Sequence, residues 1–183
     1  LKGKRIALNK GSNVHYLLLK LLEKHNMDLK DIEVAYLLPA DARAAFEKKA
    51  VDAWVIWDPF LAAAQEQLQT RVLADGEGVV DNRQFYITDQ EFAHKNPKLL
   101  SKLKVELDET SLWAQKNPDA AASILEKPTG LSKNILKVSV LRKGDGVSLV
   151  TPSIIQDQQV IADAFYQQKL IPREIRVQDA VIQ

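Results

Sequence analysis

The first third of the chain alternates two hydrophobic rhythms. Arg5-Ile-Ala-Leu8, Ile32 to Leu38, Val51 to Trp57 and Arg71 to Ala74 are short apolar runs with strand length. Val14, Leu17, Leu18, Leu21 and Leu22 instead recur at i, i+3, i+4, i+7 and i+8, the spacing of one buried helix face over 13–25. A second helix opens at Pro39-Ala-Asp41 and runs through Ala42, Ala45 and Phe46 to Lys49. A third follows Asp58-Pro59 and covers Phe60 to Leu68, with Asp placed to cap and Pro at the first helical position. This β-α-β-α-β-α-β order predicts an α/β fold with a mostly parallel sheet and helices on its faces.

From Gly76-Glu-Gly78 the pattern changes. Asn82-Arg-Gln-Phe-Tyr-Ile87 reads as one more strand, and the remainder is helical. Asn96-Pro97, Asn117-Pro118 and Thr151-Pro152 each join a capping residue to a proline, which predicts helices over 97–116, 118–126, 131–142 and 151–168. Gly130 and Gly144-Asp145-Gly146 break them. Ile161, Phe165 and Tyr166 form the buried stripe of the last helix.

In parallel α/β sheets, ligands sit outside the carboxyl ends of the strands. Three loops meet there: Lys10 to Asn13, Leu38 to Asp41 and Trp57 to Pro59. The first is the most informative, because a strand that turns through Gly11-Ser12 into a helix start aims unpaired N–H groups at one point. The helix dipole adds positive potential there, so the turn suits an anion. Gly11 allows close backbone approach, and Ser12 supplies a hydroxyl either as an N-cap or as a ligand. An ordinary capped turn with nothing bound accounts for the same residues.

Composition narrows the alternatives. With 25 basic and 24 acidic residues mixed along 183 positions, no overall field favours nucleic acid or an anionic membrane. The absence of cysteine excludes disulfides, thiolate metal sites and cysteine nucleophiles. His15, His25 and His94 lack metal-ligand spacing, and no phosphate loop or serine elbow is present. No cofactor is implied. No apolar run is long enough to span a membrane. The chain opens at Leu1, on the edge of a strand, which predicts a processed or partial sequence.

The phrases Leu1-Lys-Gly-Lys-Arg-Ile-Ala7, Lys10-Gly-Ser12, Pro39-Ala-Asp41, Val51-Asp-Ala-Trp54, Trp57-Asp-Pro-Phe60 and Asn82-Arg-Gln-Phe-Tyr86 together resemble the aliphatic sulfonate-binding proteins. These are extracytoplasmic receptors of ABC importers, related to taurine and nitrate binders. The likeness is dense over 1–95 and diffuse beyond, where it rests on helix order and on Trp113-Ala-Gln-Lys-Asn-Pro118. It implies a two-lobed periplasmic binding protein fold of type II that closes by a hinge near 76–86. Residues 1–78 would form the second lobe, and 79–183 a return strand and C-terminal helices belonging to the first lobe. The N-terminal part of that first lobe would be missing, and its exposed surface covered by other material such as a neighbouring chain.

The resemblance also implies roles. A sulfonate is a permanent monoanion with three acceptor oxygens, served by fixed neutral donors without the desolvation cost of burying a second charge. Gly11, Ser12 and Asn13 suit that scheme, with Lys10 a source of long-range attraction or a solvated surface residue. Trp57 either walls the cleft for an alkyl tail or packs in the core. Trp54, on the opposite face of the strand, belongs to the core. Asp58 is an N-cap, or an acceptor for an amine-bearing ligand such as taurine. Asn82 donates to a ligand oxygen or shapes a turn, and His15 lines the cleft or packs beneath it. The expected function is capture of an alkanesulfonate in the periplasm for a membrane permease, without catalysis. The alternatives are another small anion (taurine, nitrate or sulfate), an enzyme resembling the pyrimidine-precursor synthases, and the effector-sensing domain of a regulator.

Overall fold

The structure, a computed structural model, describes residues 1–144 and 146–181. Asp145 of the expected glycine break and the terminal Ile182 and Gln183 lie outside the described residues. The chain falls into two compact units, Leu1–Arg83 and Gln84–Gln183.

The first unit is built on β1 (Arg5–Leu8), which lies between β2 (Glu33–Tyr36) and β3 (Ala53–Trp54) in a parallel sheet of order β2-β1-β3. Arg5 pairs with Glu33 and Leu8 with Tyr36, and Ile6 pairs with Ala53. Helices α1 (Asn13–Lys24), α2 (Pro39–Glu47) and α3 (Phe60–Leu68) follow the successive strands. Because side chains alternate along a strand, β1 supplies both of its faces. Ile6 and Leu8 join Val14, Leu18, Leu22 and Ile32 in one core cluster. Ala7 joins Ala42 and Val51 in the other. A small residue at position 7 lets α2 approach the sheet closely, while the bulk of Ile6 and Leu8 meets α1.

Charged groups align the strands at their amino ends. Asp52 accepts the Arg5 backbone N–H at 2.8 Å and Lys4 Nζ at 3.2 Å. Those contacts, the backbone bond foremost, hold its carboxyl below the usual carboxylate range.

Several expected boundaries shift. The second and third strands, expected over 32–38 and 51–57, contract to β2 and β3. The expected strand at Arg71–Ala74 is absent, as is the one over Asn82–Ile87. A strand exists only where a neighbour completes its backbone hydrogen bonds, and among the described residues no ladder reaches either segment. Leu73 is 61% exposed and Ile87 92%. Apolar alternation marked both segments but did not supply a partner.

The second unit is helical: α4 (Gln90–Lys95), α5 (Pro97–Lys116), α6 (Pro118–Thr129), α7 (Lys133–Arg142) and α8 (Pro152–Gln167). Proline opens α5, α6 and α8 as expected. The capping chemistry differs. Thr151 does cap α8, but Asn96 and Asn117 make no cap and instead donate backward to the carbonyls of Phe92 and Trp113, at 2.9 Å each. Each asparagine therefore closes the preceding helix rather than opening the next. Ala121 and Ala122 of α6 and Ile135 and Leu136 of α7 are buried, whereas α5 buries none of its residues. In α8 only Ala162 is fully buried, so the expected stripe of Ile161, Phe165 and Tyr166 is half-covered, with Tyr166 39% exposed.

Leu18, 1% exposed in the larger cluster, provides the test of this packing. Leu18→Ala is expected to destabilise the protein by about 2–5 kcal/mol in denaturant unfolding. A loss below about 1 kcal/mol would contradict the cluster as described.

Candidate functional site

Parallel pairing puts the carboxyl ends of all three strands on one side, so the loops after Leu8, Tyr36 and Trp54 emerge together. The first is a tight turn with Gly11 at φ +73°, a conformation that side chains rarely adopt. Ser12 follows with extended backbone at the N-cap of α1. Its hydroxyl does not cap the helix. It donates to the Asn9 carbonyl at 2.7 Å, closing the turn on itself. The N-cap lacks a side-chain acceptor, so the N–H groups of Asn13 and Val14, which have no intrahelical acceptor, open the helix without a serine over them.

The Gly11 amide is engaged differently from the expectation that it faces a ligand. It donates to His15 Nδ1 at 3.1 Å, one helical turn along. His15 is fully buried, and its ring lies 5.4 Å from that of Tyr36, the last residue of β2. Burial, and secondarily the charge of Lys10, lower the His15 pKa, so the imidazole is neutral at physiological pH. Lys10 itself lies over the Tyr36 ring, 5.5 Å from its centroid. Burial also raises the Tyr36 pKa, which keeps its hydroxyl protonated as a donor. Tyr36 had no role in the sequence reading. Its place at the carboxyl end of a strand was the available signal.

Asn13 and Asn82, far apart in sequence, are brought together: Asn13 Nδ2 donates to Asn82 Oδ1 at 3.0 Å. Asn82 is exposed, and its own amide NH2 lies outside that bond. Asp81 and Arg83 flank it with an ion pair at 2.7 Å.

The remaining candidates make contacts within the fold. Trp57 packs against the α1-side core and meets Phe60 edge-on at 6.1 Å. Trp54 packs on the opposite face with Phe46, which matches the expected alternation. Pro59, expected at the first helical position, is instead the N-cap of α3, which starts at Phe60, and Asp58 just before it accepts the Ala62 N–H through Oδ1 at 3.0 Å. The turn and the Asn13–Asn82 pair thus offer neutral donors, with Lys10 exposed beside the turn and the Asp81–Arg83 ion pair flanking Asn82. Among the described residues no three His, Cys, Asp or Glu side chains gather to hold a metal. No described helix is long and apolar enough to cross a membrane.

Residues 1–121 match the family model described as NMT1/THI5 like. The crystal structure of the periplasmic aliphatic sulphonate binding protein SsuA from Escherichia coli superposes on the whole chain with a TM-score of 0.94 at 33% identity, over 60% of its own length. The alkanesulfonate-binding protein SsuA of Xanthomonas axonopodis pv. citri, solved bound to MOPS, gives a TM-score of 0.89 at 34% identity, covering 100% of this chain and 63% of that one. The taurine-binding periplasmic protein of Escherichia coli is 27% identical over 152 residues, which are 81% of this chain and 46% of that protein. The chain thus spans about 60% of the length of the sulfonate binders it matches.

The Asp58 cap has a direct test. Asp58→Ala is expected to cost about 1 kcal/mol of stability, whereas Asp58→Asn, which keeps an oxygen acceptor, retains most of it. Equal losses in thermal unfolding would show that charge rather than capping is at stake.

Proposed function

The chain belongs to the NMT1/THI5-like family, and on that footing we propose that it is the ligand-binding part of a periplasmic receptor that captures aliphatic sulfonates and delivers them to an ABC permease, without catalysis. The observation that carries this reading is the open start of α1 beside the Asn13–Asn82 pair, in a chain that superposes along its whole length on a sulphonate binder. A sulfonate keeps its single charge at every physiological pH and needs donors rather than a counter-ion. The N–H groups of Asn13 and Val14, the Asn82 amide and the Ser12 hydroxyl, turned from the Asn9 carbonyl to the ligand, supply them. Gly11 gives the turn its shape rather than an amide contact. Trp57, backed by Phe60, presents an apolar edge to the alkyl tail, and Asp58 holds α3 in place rather than touching the guest.

Residues 1–78 act as one lobe and 79–183 belong largely to the other, with closure around 76–86. The exposed apolar side chains of α5, among them Leu99, Leu103 and Trp113, favour cover from a further part of the fold or a neighbouring chain. A second small-anion reading, with taurine as the ligand, draws on the likeness to the taurine binder. The Asp58 Oδ1 accepts the Ala62 N–H and so serves the start of α3, which favours the alkanesulfonate over an amine-bearing guest.

Calorimetric titration of the full-length protein with butanesulfonate, MOPS, taurine, sulfate and nitrate tests the proposal. Micromolar or tighter binding of butanesulfonate with the inorganic anions silent is expected. Preference for sulfate or nitrate would overturn it. Ser12→Ala is expected to weaken butanesulfonate about tenfold with the fold intact, the scale of one hydrogen bond to a charged group. Trp57→Ala is expected to weaken butanesulfonate more than methanesulfonate. Equal losses across chain lengths would make Trp57 purely structural.

A further inference from the structure

We propose that His15 is the positioning residue of the anion turn: its unprotonated Nδ1 holds the Gly11 amide, and through it fixes the direction in which Ser12 and the first N–H groups of α1 face the ligand. The inference rests on the sulfonate-binding reading for its functional consequence, but its structural core does not need a ligand. Three observations converge on it. His15 is fully buried on a helix whose other buried positions are apolar apart from Tyr16. Its Nδ1 accepts the Gly11 N–H at 3.1 Å, so that nitrogen carries no proton and the imidazole is the Nε2–H tautomer. Gly11 sits at φ +73°, and nothing lies within 4 Å of where its Cβ would be, so local crowding does not hold the turn. The Ser12 hydroxyl closes the turn on the Asn9 carbonyl, and the bond to His15 holds the Gly11 amide itself.

The bond also keeps the Gly11 N–H away from the ligand. The helix start is thereby left to the amides of Asn13 and Val14. Tyr36, across from it on β2, and Lys10, on the turn itself, are titratable groups that face His15. Both oppose an imidazolium: the cation by repulsion, the ring by contributing to burial. Acid reverses the arrangement, because a protonated Nδ1 is a donor and cannot accept the Gly11 amide. Protonation therefore releases the turn as pH falls below the ordinary histidine range. A histidine whose pKa is lowered by folding adds stability above about pH 6.5, and that stability declines as pH falls through the folded value.

Two substitutions separate positioning from packing. His15→Asn removes the ring but keeps an acceptor near the place of Nδ1, and that acceptor does not titrate. His15→Phe keeps the ring and its contact with Tyr36 but removes the acceptor. In the full-length protein, the Gly11 amide is expected to be protected from hydrogen exchange and to titrate with His15 in the wild type. It should stay protected and cease to titrate in His15→Asn, and lose protection in His15→Phe. Butanesulfonate affinity is expected to remain within about threefold in His15→Asn and to fall about tenfold in His15→Phe. The reverse order, with His15→Phe the better protected at Gly11 and His15→Asn the worse, would show a packing role and overturn the inference. If neither variant nor the wild type binds butanesulfonate, the sulfonate reading fails, and the Gly11 amide still decides the role of His15. Should either variant unfold, the pH dependence of the Gly11 resonance in the wild type decides the matter: a Gly11 amide indifferent to His15 protonation overturns the proposal.

Discussion

Strand β1 carries hydrogen-bond ladders on both edges and buries side chains on both faces, and the site depends on that double anchorage. Its residues Ile6, Ala7 and Leu8 have no exposed surface. The strand can neither slide nor twist without breaking a ladder to β2 or β3 and opening one of two cores. Where it ends, the chain must reverse into α1, and the residues that make the reversal inherit the rigidity of the strand behind them. Glycine at 11 allows the tight geometry, and the helix then presents its first N–H groups at a fixed place. A binding turn on a mobile loop would lose part of its affinity to ordering; one mounted on the central strand does not.

The electrostatics of the turn suit a guest of fixed charge. Its immediate donors are neutral, and the neighbouring imidazole is kept neutral by burial and by Lys10. The cation itself stands over the Tyr36 ring at the solvent edge, where it attracts an anion without being desolvated. Asp58 Oδ1 is turned to the start of α3, where it accepts the Ala62 N–H. Binding in such a site is governed by the direction of dipoles, and a histidine that aims one amide inward therefore affects how the others face outward.

Much of this was legible in the chain. The 3.6-residue period of α1 and the proline starts of α5, α6 and α8 reflect local rules that the sequence carries in full. So does the placing of Trp54 and Trp57 against opposite core clusters. The meeting of three loops follows from the order of strands and helices alone. What escaped were pairings. Whether 71–74 or 82–87 forms a strand depends on a partner backbone, and apolar residues there did not reveal its absence. Asn96 and Asn117 look like N-caps in sequence, but their amides found preceding carbonyls. Ser12 likewise looked like a cap, and Gly11 like a ligand donor, because nothing in the sequence says that a buried histidine four residues on would claim the glycine amide. Asn13 and Asn82 were both candidates, yet only folding puts them in contact.

The central claim is that the start of α1 receives the sulfonate. Amide chemical-shift mapping of the full-length protein during titration with butanesulfonate tests it most directly. The account predicts the largest shifts at the backbone amides of Asn13 and Val14 and at the Asn82 side-chain NH2, saturating together with the calorimetric affinity. Saturable shifts confined elsewhere, for example to the depression lined by Tyr166, Lys169 and Pro172 at the end of α8, with the start of α1 unmoved, would contradict it.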